Sequence, residues 1–577
     1  MKRTGLMQTL VMITALPGCA AYFNDAPKPE LSAKAQARLV QEEALALPPA
    51  KTTLEQALPR FRQQAQALEK PPQLIGDLGV IEGAKPHGPG MTLAQARALA
   101  LANNLKLKVA LMEPGIAETF ISQEEAKFDD LIFAHAKYSR KDSPLLDGDV
   151  VSFKSVDKDS PLNSEIAKLN LMPQDTEKLD FEAGILIPLR SGGKIKLAAP
   201  LAAKKTDRFV PSEQYVGAVK FSMSQPLLRG AGIDANVAGI RLARYQKQMV
   251  DLKTRLQSIR VLAEVDKAYW SVYAAWGALD IARQQYDLAR QNLAMVKRRV
   301  DAGLTANIEI NRAEIGVAER MESLIIASTD LKLKQRKLKL LLNDPDYGLD
   351  SEVMIAPETE PTLLEFDFDR EQLAEQALDQ RLELLELELK LAADSTKIDY
   401  LRNQTLPLFM LDYSFGLSAR DQAFDDAFAD VLSQDNEAWS VGVRLEIPLT
   451  NELRKSKLRR AVRERLQRLS TQQLKIMTVR REIFDALDRV EQHWQRILAN
   501  RQSVILAGVN YQAEIKQFQS GIRTMTEVLE TLTKLGKAQV KEVKAIADYQ
   551  AALIDLAYVT GTLLGYSKVG FDSVNAL

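Results

Sequence analysis

The side chains best suited to chemistry are few and widely separated in this sequence. Histidine occurs three times, at His87, His135 and His493, and cysteine occurs once, at Cys19. No pair of these residues has the short spacing of a metal site, and no glycine loop of the kind that binds phosphates is present. The methionines are interpreted as packing residues rather than copper ligands. We therefore expect no catalytic residue, no metal ion and no cofactor other than a covalent lipid.

The surroundings of Cys19 indicate one chemical modification. A basic start is followed by an apolar stretch over residues 6–16, which is too short to cross a bilayer as a helix. The Leu-Pro-Gly-Cys that follows resembles the bacterial lipoprotein cleavage box, whose cysteine is acylated and becomes the new N-terminus. The residue after the cysteine is Ala20, and in this respect the sequence is similar to lipoproteins that are released to the outer membrane. We predict a lipid on Cys19, and the alternative is an ordinary signal peptide with a chance cysteine.

The composition limits the class of protein. Basic and acidic residues balance at 76 each, which argues against a nucleic-acid partner. Aromatic residues make up 6% of the chain, while Leu, Ala, Gln, Arg, Lys and Glu dominate its second half. This bias is typical of long helices.

From residue 91 the chain presents the same pattern twice. Each half opens with a helical segment, continues with strand patterns and a Pro-Leu step, and ends in a long helical tract. The Pro-Leu steps begin at Pro226 and Pro448, and matching short segments begin at Gly303 and Gly521. Because the two pairs of landmarks have nearly the same offset, they indicate an internal duplication.

We predict six segments along the chain. A signal peptide precedes a lipid-anchored arm that prolines break into short pieces, two repeats are joined by a linker, and a tail ends the chain. In order, their ranges are 1–18, 19–90, 91–345 for the first repeat, 346–369 for the linker, 370–566 for the second repeat and 567–577.

The helical tracts can be very long. No proline occurs between Pro226 and Pro345 or after Pro448, so nothing of that kind interrupts a helix there. Apolar residues in the first tract alternate between spacings of three and four, which is the repeat of coiled-coil packing. They are Leu262, Val265, Tyr269, Val272, Trp276 and Leu279. We expect each tract to turn once, at Gly303 and at Gly521, because glycine permits a tight turn.

Four segments alternate apolar and polar residues in the manner of strands. They cover residues 131–138 (the weakest), 219–224, 411–418 and 439–447. Each such strand has one apolar and one polar face. If the apolar face met lipid, Lys220, Arg444 and Glu446 would line water, whereas in a soluble protein the same face would pack on a core. Four strands are too few to close a barrel, so a membrane barrel would require several subunits.

The first half contains additional residues around 141–215. Within them, Ser191-Gly192-Gly193 is predicted to turn a small hairpin. We expect an enlarged extracellular loop or an insertion at the rim of a barrel.

These features together resemble the TolC-type outer-membrane factor family over about residues 91–566. The segment Ser224–Gly230, with its Pro-Leu step, is similar to the strand-to-helix crossing of that family. The segment from Gly521 to Glu530 reads Gly-Ile-Arg-Thr-Met-Thr-Glu-Val-Leu-Glu. It resembles the family's tip motif Gly-x-Arg-Thr-x-x-Asp-Val-Leu-Asp, with glutamate in place of both aspartates.

The resemblance implies an α+β membrane protein. Its expected form is a trimeric 12-stranded β-barrel with four strands per subunit, continued by a long α-helical coiled-coil tunnel in the periplasm. The implied function is a passive conduit through the outer membrane of a Gram-negative bacterium, in tripartite efflux or type I secretion. A periplasmic adaptor and an inner-membrane pump, of RND or ABC type, would dock at the helical tips and open them.

The resemblance also implies roles for charged residues at the tips. Glu527 and Glu530 match acids that ring the inner constriction, where three copies of each would attract cations and hinder anions. Arg523 and Glu309 match an arginine and an acid that hold neighbouring hairpins together, in a pair worth about 1 kcal/mol. The alternative is that these charges are solvated surface residues.

The main rival function is a periplasmic coiled-coil lipoprotein that acts as a scaffold or a pump adaptor. An adaptor is expected to show one helical hairpin that interrupts Gly-rich β domains. This sequence predicts two hairpins and paired strands, so we favour the channel.

Overall fold

The computed structural model describes residues 48–65, 88–143, 174–206, 213–431 and 436–567. Cys19 and the predicted signal peptide lie outside these residues. The chain forms two compact units. The first, here called the strand unit, takes its described residues from Glu118–Tyr245 and Ala392–Leu466. The second, the helical unit, takes its described residues from Leu31–Ala117, Gln246–Leu391 and Gln467–Leu577.

Strands and helices alternate along the described chain. The strands are β1 (Ala50–Thr53), β2 (Gly90–Met91), β3 (Leu131–Ser143), β4 (Gln174–Pro188), β5 (Lys194–Thr206), β6 (Glu213–Pro226), β7 (Ala356–Pro357), β8 (Leu364–Phe366), β9 (Leu408–Asp421) and β10 (Glu437–Glu446). The α-helices are α1 (Leu54–Ala65), α2 (Leu93–Asn103), α3 (Leu105–Glu125), α4 (Ile233–Asn236), α5 (Ala238–Asp301), α6 (Ile308–Leu342), α7 (Arg370–Gln380), α8 (Leu382–Gln404), α9 (Phe424–Ala429), α10 (Glu452–Gln519), α11 (Met525–Val559) and α12 (Leu563–Tyr566).

One antiparallel sheet dominates the strand unit. Its six strands follow the order β10-β9-β6-β5-β4-β3. The sequence predicted four strands, and that number is wrong. The additional pair is the hairpin β4–β5 from the insertion, which pairs with β3 on one side and with β6 on the other. Three copies of this chain therefore carry more strands than the predicted 12.

The turn of this hairpin locates one part of the predicted insertion. Gly192 has a φ of 92°, and the Leu189 N–H donates to the Gly193 carbonyl at 2.8 Å. The turn is held to the segment that follows β6, since the Gly232 N–H donates to the Ser191 carbonyl at 3.1 Å. The hairpin thus lies within the sheet, and its turn lies at the end where β6 leads into helices. Residues 144–173 of the predicted insertion lie outside the described residues.

The sheet has two chemically different faces. Cross-strand partners point to the same side, so a register row identifies each face. One row on the first side contains a large apolar residue from every strand: Trp439, Phe415, Phe221, Leu197, Ile185 and Ile132. We call this side the apolar face and the opposite side the polar face. The neighbouring row on the polar face contains Ser440, Ser414, Ser222 and Lys196, and it ends in Leu186 and Leu131 on β4 and β3.

The helical unit contains two long antiparallel hairpins. Helix α5 has 64 residues and α10 has 68, and each is followed by a helix of 35 residues, α6 or α11. Of the apolar series predicted in α5, Leu262, Val265, Tyr269 and Val272 are fully buried. The three-and-four spacing therefore identified the packed face of this helix. Among the described residues, no helix has an apolar stretch long enough to cross a bilayer.

Short strands attach the peripheral segments to this unit. In the described part of the predicted arm, β1 pairs with β8, and β2 pairs in parallel with β7. Leu54 and Ala57 are buried in the main core. The Tyr269 hydroxyl, itself buried, donates to the Met91 carbonyl at 2.9 Å. These contacts fix the segment before α2 and the predicted linker to the long helices.

Candidate functional site

The two hairpin tips have the same backbone turn. Gly303 and Gly521 have φ values of 71° and 78°. The Leu304 N–H donates to the Arg299 carbonyl at 2.9 Å, and the Ile522 N–H donates to the Gln517 carbonyl at 3.0 Å. This is the pattern of the Schellman motif, in which a left-handed glycine ends a helix and satisfies its last carbonyls.

Two of the predicted gate acids meet at the N-terminus of α11. Glu309, from the other hairpin, accepts a hydrogen bond from the Met525 N–H at 2.9 Å. Glu527 accepts one from the Thr524 N–H at 3.0 Å, as in a capping box, and another from the Thr524 hydroxyl. Both carboxylates thus accept hydrogen bonds from backbone N–H groups that would otherwise lack partners. Their negative charge also interacts favourably with the positive end of the helix dipole.

The environments of these two acids differ. Glu309 is only 7% exposed and also accepts a hydrogen bond from Arg312 at 2.5 Å. The side chain of Glu527 is 36% exposed. Hydrogen bonding to the Thr524 side chain is the main cause that lowers the pKa of Glu527 below its usual range. Of these two acids, Glu527 is therefore the one that reaches solvent.

Arg523 and Glu309 have separate partners within one chain. The Arg523 Nε donates to the Gln517 side chain at 3.1 Å, and the guanidinium lies 3.6 Å from Glu514 and 4.0 Å from Glu527. Within one chain, Arg523 thus contacts residues of its own hairpin. A contact between copies of the chain stays a prediction.

Glu530 lies one turn further along α11. Its carboxylate is 2.7 Å from Lys534, and both side chains are more than 60% exposed. Glu530 therefore presents its charge to solvent, with a neighbouring cation that partly offsets it.

Two arginines that the sequence did not single out hold the hairpins together. Arg299 donates to the Gln519 carbonyl at 2.8 Å and lies 5.5 Å from the ring centroid of Phe518. Arg320, 6% exposed, donates to the Leu529 carbonyl at 3.0 Å. Each partner is about 200 residues away in the chain, so no local sequence pattern could have revealed these contacts.

An apolar cluster packs between the helices next to the tips. Met525, Val528 and Leu532 of α11 are fully buried, and Phe518 packs in the same cluster. The capping acids therefore act on a helix end whose apolar side is fixed by burial.

The predicted lumen residues lie together on the polar face of the sheet. Arg444 is 3.3 Å from Asp412, and Glu446 is 3.5 Å from Arg229. By register, Lys220 is on the same side and lies over Gly416. The structure therefore brings the three residues to one face, opposite the apolar row.

Buried ion pairs fix the helices far from the tips. Arg97 donates two hydrogen bonds of 2.8 Å to the Asp266 carboxylate, whose side chain is fully buried. Burial raises the pKa of Asp266, against the opposing effect of Arg97. Arg381 is 2.9 Å from both Glu383 and Glu482. We interpret these pairs as structural. Within the described ranges, no three His, Cys, Asp or Glu side chains are placed to hold a metal ion.

Known proteins are similar to this chain in sequence or in fold. The outer membrane protein TolC of Vibrio cholerae is 22% identical over 377 residues, which cover 64% of this chain and 82% of that protein. The CmeC outer membrane channel of Campylobacter jejuni has a similar structure, with a TM-score of 0.60, 14% identity and coverage of 88% of this chain and 97% of that chain. A membrane protein from Pseudomonas aeruginosa has a TM-score of 0.59 at 18% identity, over 82% and 91% of the two chains.

The family model named Outer membrane efflux protein matches residues 194–344 and 373–562. These ranges include β5, β6, β9, β10 and both helical hairpins, and they leave β3 and β4 outside the match. They cover more than half of the chain. The chain belongs to the outer membrane efflux protein family.

Proposed function

We propose that the chain is the outer-membrane channel subunit of a tripartite efflux or type I secretion system. The observation that carries this proposal is the two-faced sheet joined in one chain to two long helical hairpins, in a member of the outer membrane efflux protein family. Helical hairpins alone would fit the rival scaffold or adaptor. The sheet is the part that a scaffold does not need.

The apolar face supports a position in the membrane. Trp439, Val441, Val443 and Leu445 on β10 are all more than half exposed. A row of large apolar residues is costly in water and favourable against lipid, while the polar face would line an aqueous path. Open sheet edges are not tolerated in lipid, so other copies of the chain must complete the wall. We propose a homotrimer, with a lipid on Cys19 as an additional anchor.

The tips support a gate. Glu527 and Glu530 are partly or largely exposed carboxylates at a helix end, and three copies around a narrow passage would favour cations. The gate would be opened by a periplasmic adaptor and an inner-membrane pump of RND or ABC type. In this proposal the subunit itself catalyses no reaction. The inner-membrane pump supplies the energy for export.

Conductance tests this proposal against the scaffold. Purified full-length protein should form threefold particles. In planar bilayers it should conduct ions with a cation preference. Replacement of Glu527 and Glu530 by Ala should reduce that preference while conductance persists. Protein that stays in the aqueous phase as a monomer and adds no conductance would favour the scaffold function.

A further inference from the structure

We infer that each subunit contributes six strands to the membrane wall, so that three subunits close an 18-stranded barrel. The hairpin β4–β5 is then part of the wall and not a cap at its rim. This inference rests on the proposed function for its location in the membrane and its threefold assembly. It concerns the width of the channel and the surface through which copies of the chain meet.

The hairpin spans the sheet from one end to the other. Strands β4 and β5 have 15 and 13 residues, against 14 in both β6 and β9. A strand needs about 9–11 residues to cross a bilayer. The pairing of β4 with β3 is continuous from Leu131 to Ser143, without a register shift. A rim insertion would pair over only one end of its neighbours.

The hairpin also continues both faces of the sheet. On its apolar face, Leu179, Phe181 and Leu197 are each more than 40% exposed, as expected for positions that meet lipid. On its polar face, Lys196 is 2.7 Å from Glu182 and lies 4.8 Å from the ring centroid of Phe133. A plug or cap would not need to match the faces of the strands on both sides. The match indicates that all six strands occupy the same environment.

The addition of two strands preserves the geometry that allows copies to join. All neighbours in the sheet are antiparallel, so its two edge strands, β3 and β10, run in opposite directions. The β3 edge of one copy can therefore pair with the β10 edge of the next as an antiparallel ladder. All residues of β10 are exposed, as expected for an edge that awaits a partner. The occupant of each edge is thus a second copy of this chain.

The strand number determines the width of the opening. Barrel diameter grows roughly linearly with strand number, so at equal tilt 18 strands give a diameter about 1.5-fold that of 12 strands. Barrels of about 16–18 strands leave an aqueous channel. The membrane portion would therefore admit bulkier solutes than a 12-stranded relative, and the helical tips, not the sheet, would limit the size of the exported molecule.

Electron microscopy of the full-length protein in detergent tests the strand number directly. End views at a resolution that separates strands should show threefold particles with 18 strands. A threefold particle with 12 strands would overturn the inference and leave the proposed channel intact. A particle without threefold symmetry would overturn the proposed assembly, and the inference with it.

Cross-linking in native membranes gives a second measurement on the same question. The double variant Leu197→Cys and Phe221→Cys places two thiols on the adjacent strands β5 and β6. A short bis-maleimide should link these two thiols within one chain. The matched pair Ile132→Cys and Phe221→Cys is separated by two strands and should not link. The single variants control for reaction through Cys19. If only the second pair links, β3 lies beside β6 in the membrane and the hairpin is not part of the wall.

Discussion

Replacement of Glu309 by Ala should open the hairpin tip. Its carboxylate is 7% exposed and accepts a hydrogen bond from the Met525 N–H, and Met525 itself is fully buried. Alanine cannot accept this bond, and water does not reach the buried amide easily. The first turn of α11 should therefore lose its fixed position against the other hairpin.

The size of the effect follows from the buried amide. A buried donor without a partner costs about 1–3 kcal/mol, and loss of a negative charge near a helix N-terminus costs about 0.3–1 kcal/mol. Together these two effects give about 1.3–4 kcal/mol for the change in the free energy of local opening. Because about 1.4 kcal/mol corresponds to a factor of ten, the open population should rise roughly 10- to 700-fold.

Hydrogen exchange measured by mass spectrometry on peptides that cover residues 521–530 would report this opening. Glu309→Gln retains an oxygen acceptor and should show a smaller increase in exchange. Glu530→Ala, which removes an exposed acid from the same helix, should change exchange little. Equal exchange in Glu309→Ala and in the unmodified protein would refute the assignment of Glu309 as a cap.

Three further perturbations test other parts of the structure. Gly521→Ala should destabilise the second tip by about 1–2 kcal/mol, because the positive φ at this position strains an alanine. Steric overlap does not contribute, since a Cβ at this position would meet no atom within 4 Å. In the same exchange experiment, Gly521→Asn should destabilise the tip less than Gly521→Ala. The pKa of Glu527 is lowered in the folded tip, so the charged carboxylate stabilises the tip at pH values above the usual pKa of a glutamate. This stabilisation of the tip is lost as the pH falls through the lowered pKa. Protection factors of residues 521–530 that do not decrease in acid would contradict this expectation. Asp266→Ala should destabilise the helical unit by about 3–5 kcal/mol, because Arg97 is left without its buried partner; an unchanged thermal transition in detergent would argue against that role.

Local patterns in the sequence predicted the helical part of the fold well. The spacing of Leu262, Val265 and Tyr269 identified a buried helix face because a helix repeats its faces within a few residues. Gly303 and Gly521 were recognisable as turns for a similar reason, since a positive φ is a property of one residue. Such features depend on short stretches of chain, which the sequence displays directly.

Features that depend on distant partners could not be predicted in this way. Alternation is visible in β4, but nothing in it shows that β4 pairs with β3 and β5 over its whole length. The number of strands was therefore too low. Likewise, the partner of Glu309 is Met525, 216 residues away. The motif at the tip indicated an acid of interest, and only the fold shows that this acid caps a helix.

The exposed edges of the sheet have a consequence for how the protein is made. Among the residues that the structure describes, a single subunit carries two unpaired sheet edges and an apolar face, and lipid does not tolerate open edges. In the proposed assembly, exported subunits would therefore remain in the periplasm until they meet one another, and insertion would accompany or follow assembly. During that interval the same edges can pair in the wrong register or with foreign strands. Biogenesis of the proposed assembly would thus depend on the local concentration of subunits, which confinement to a membrane surface would raise.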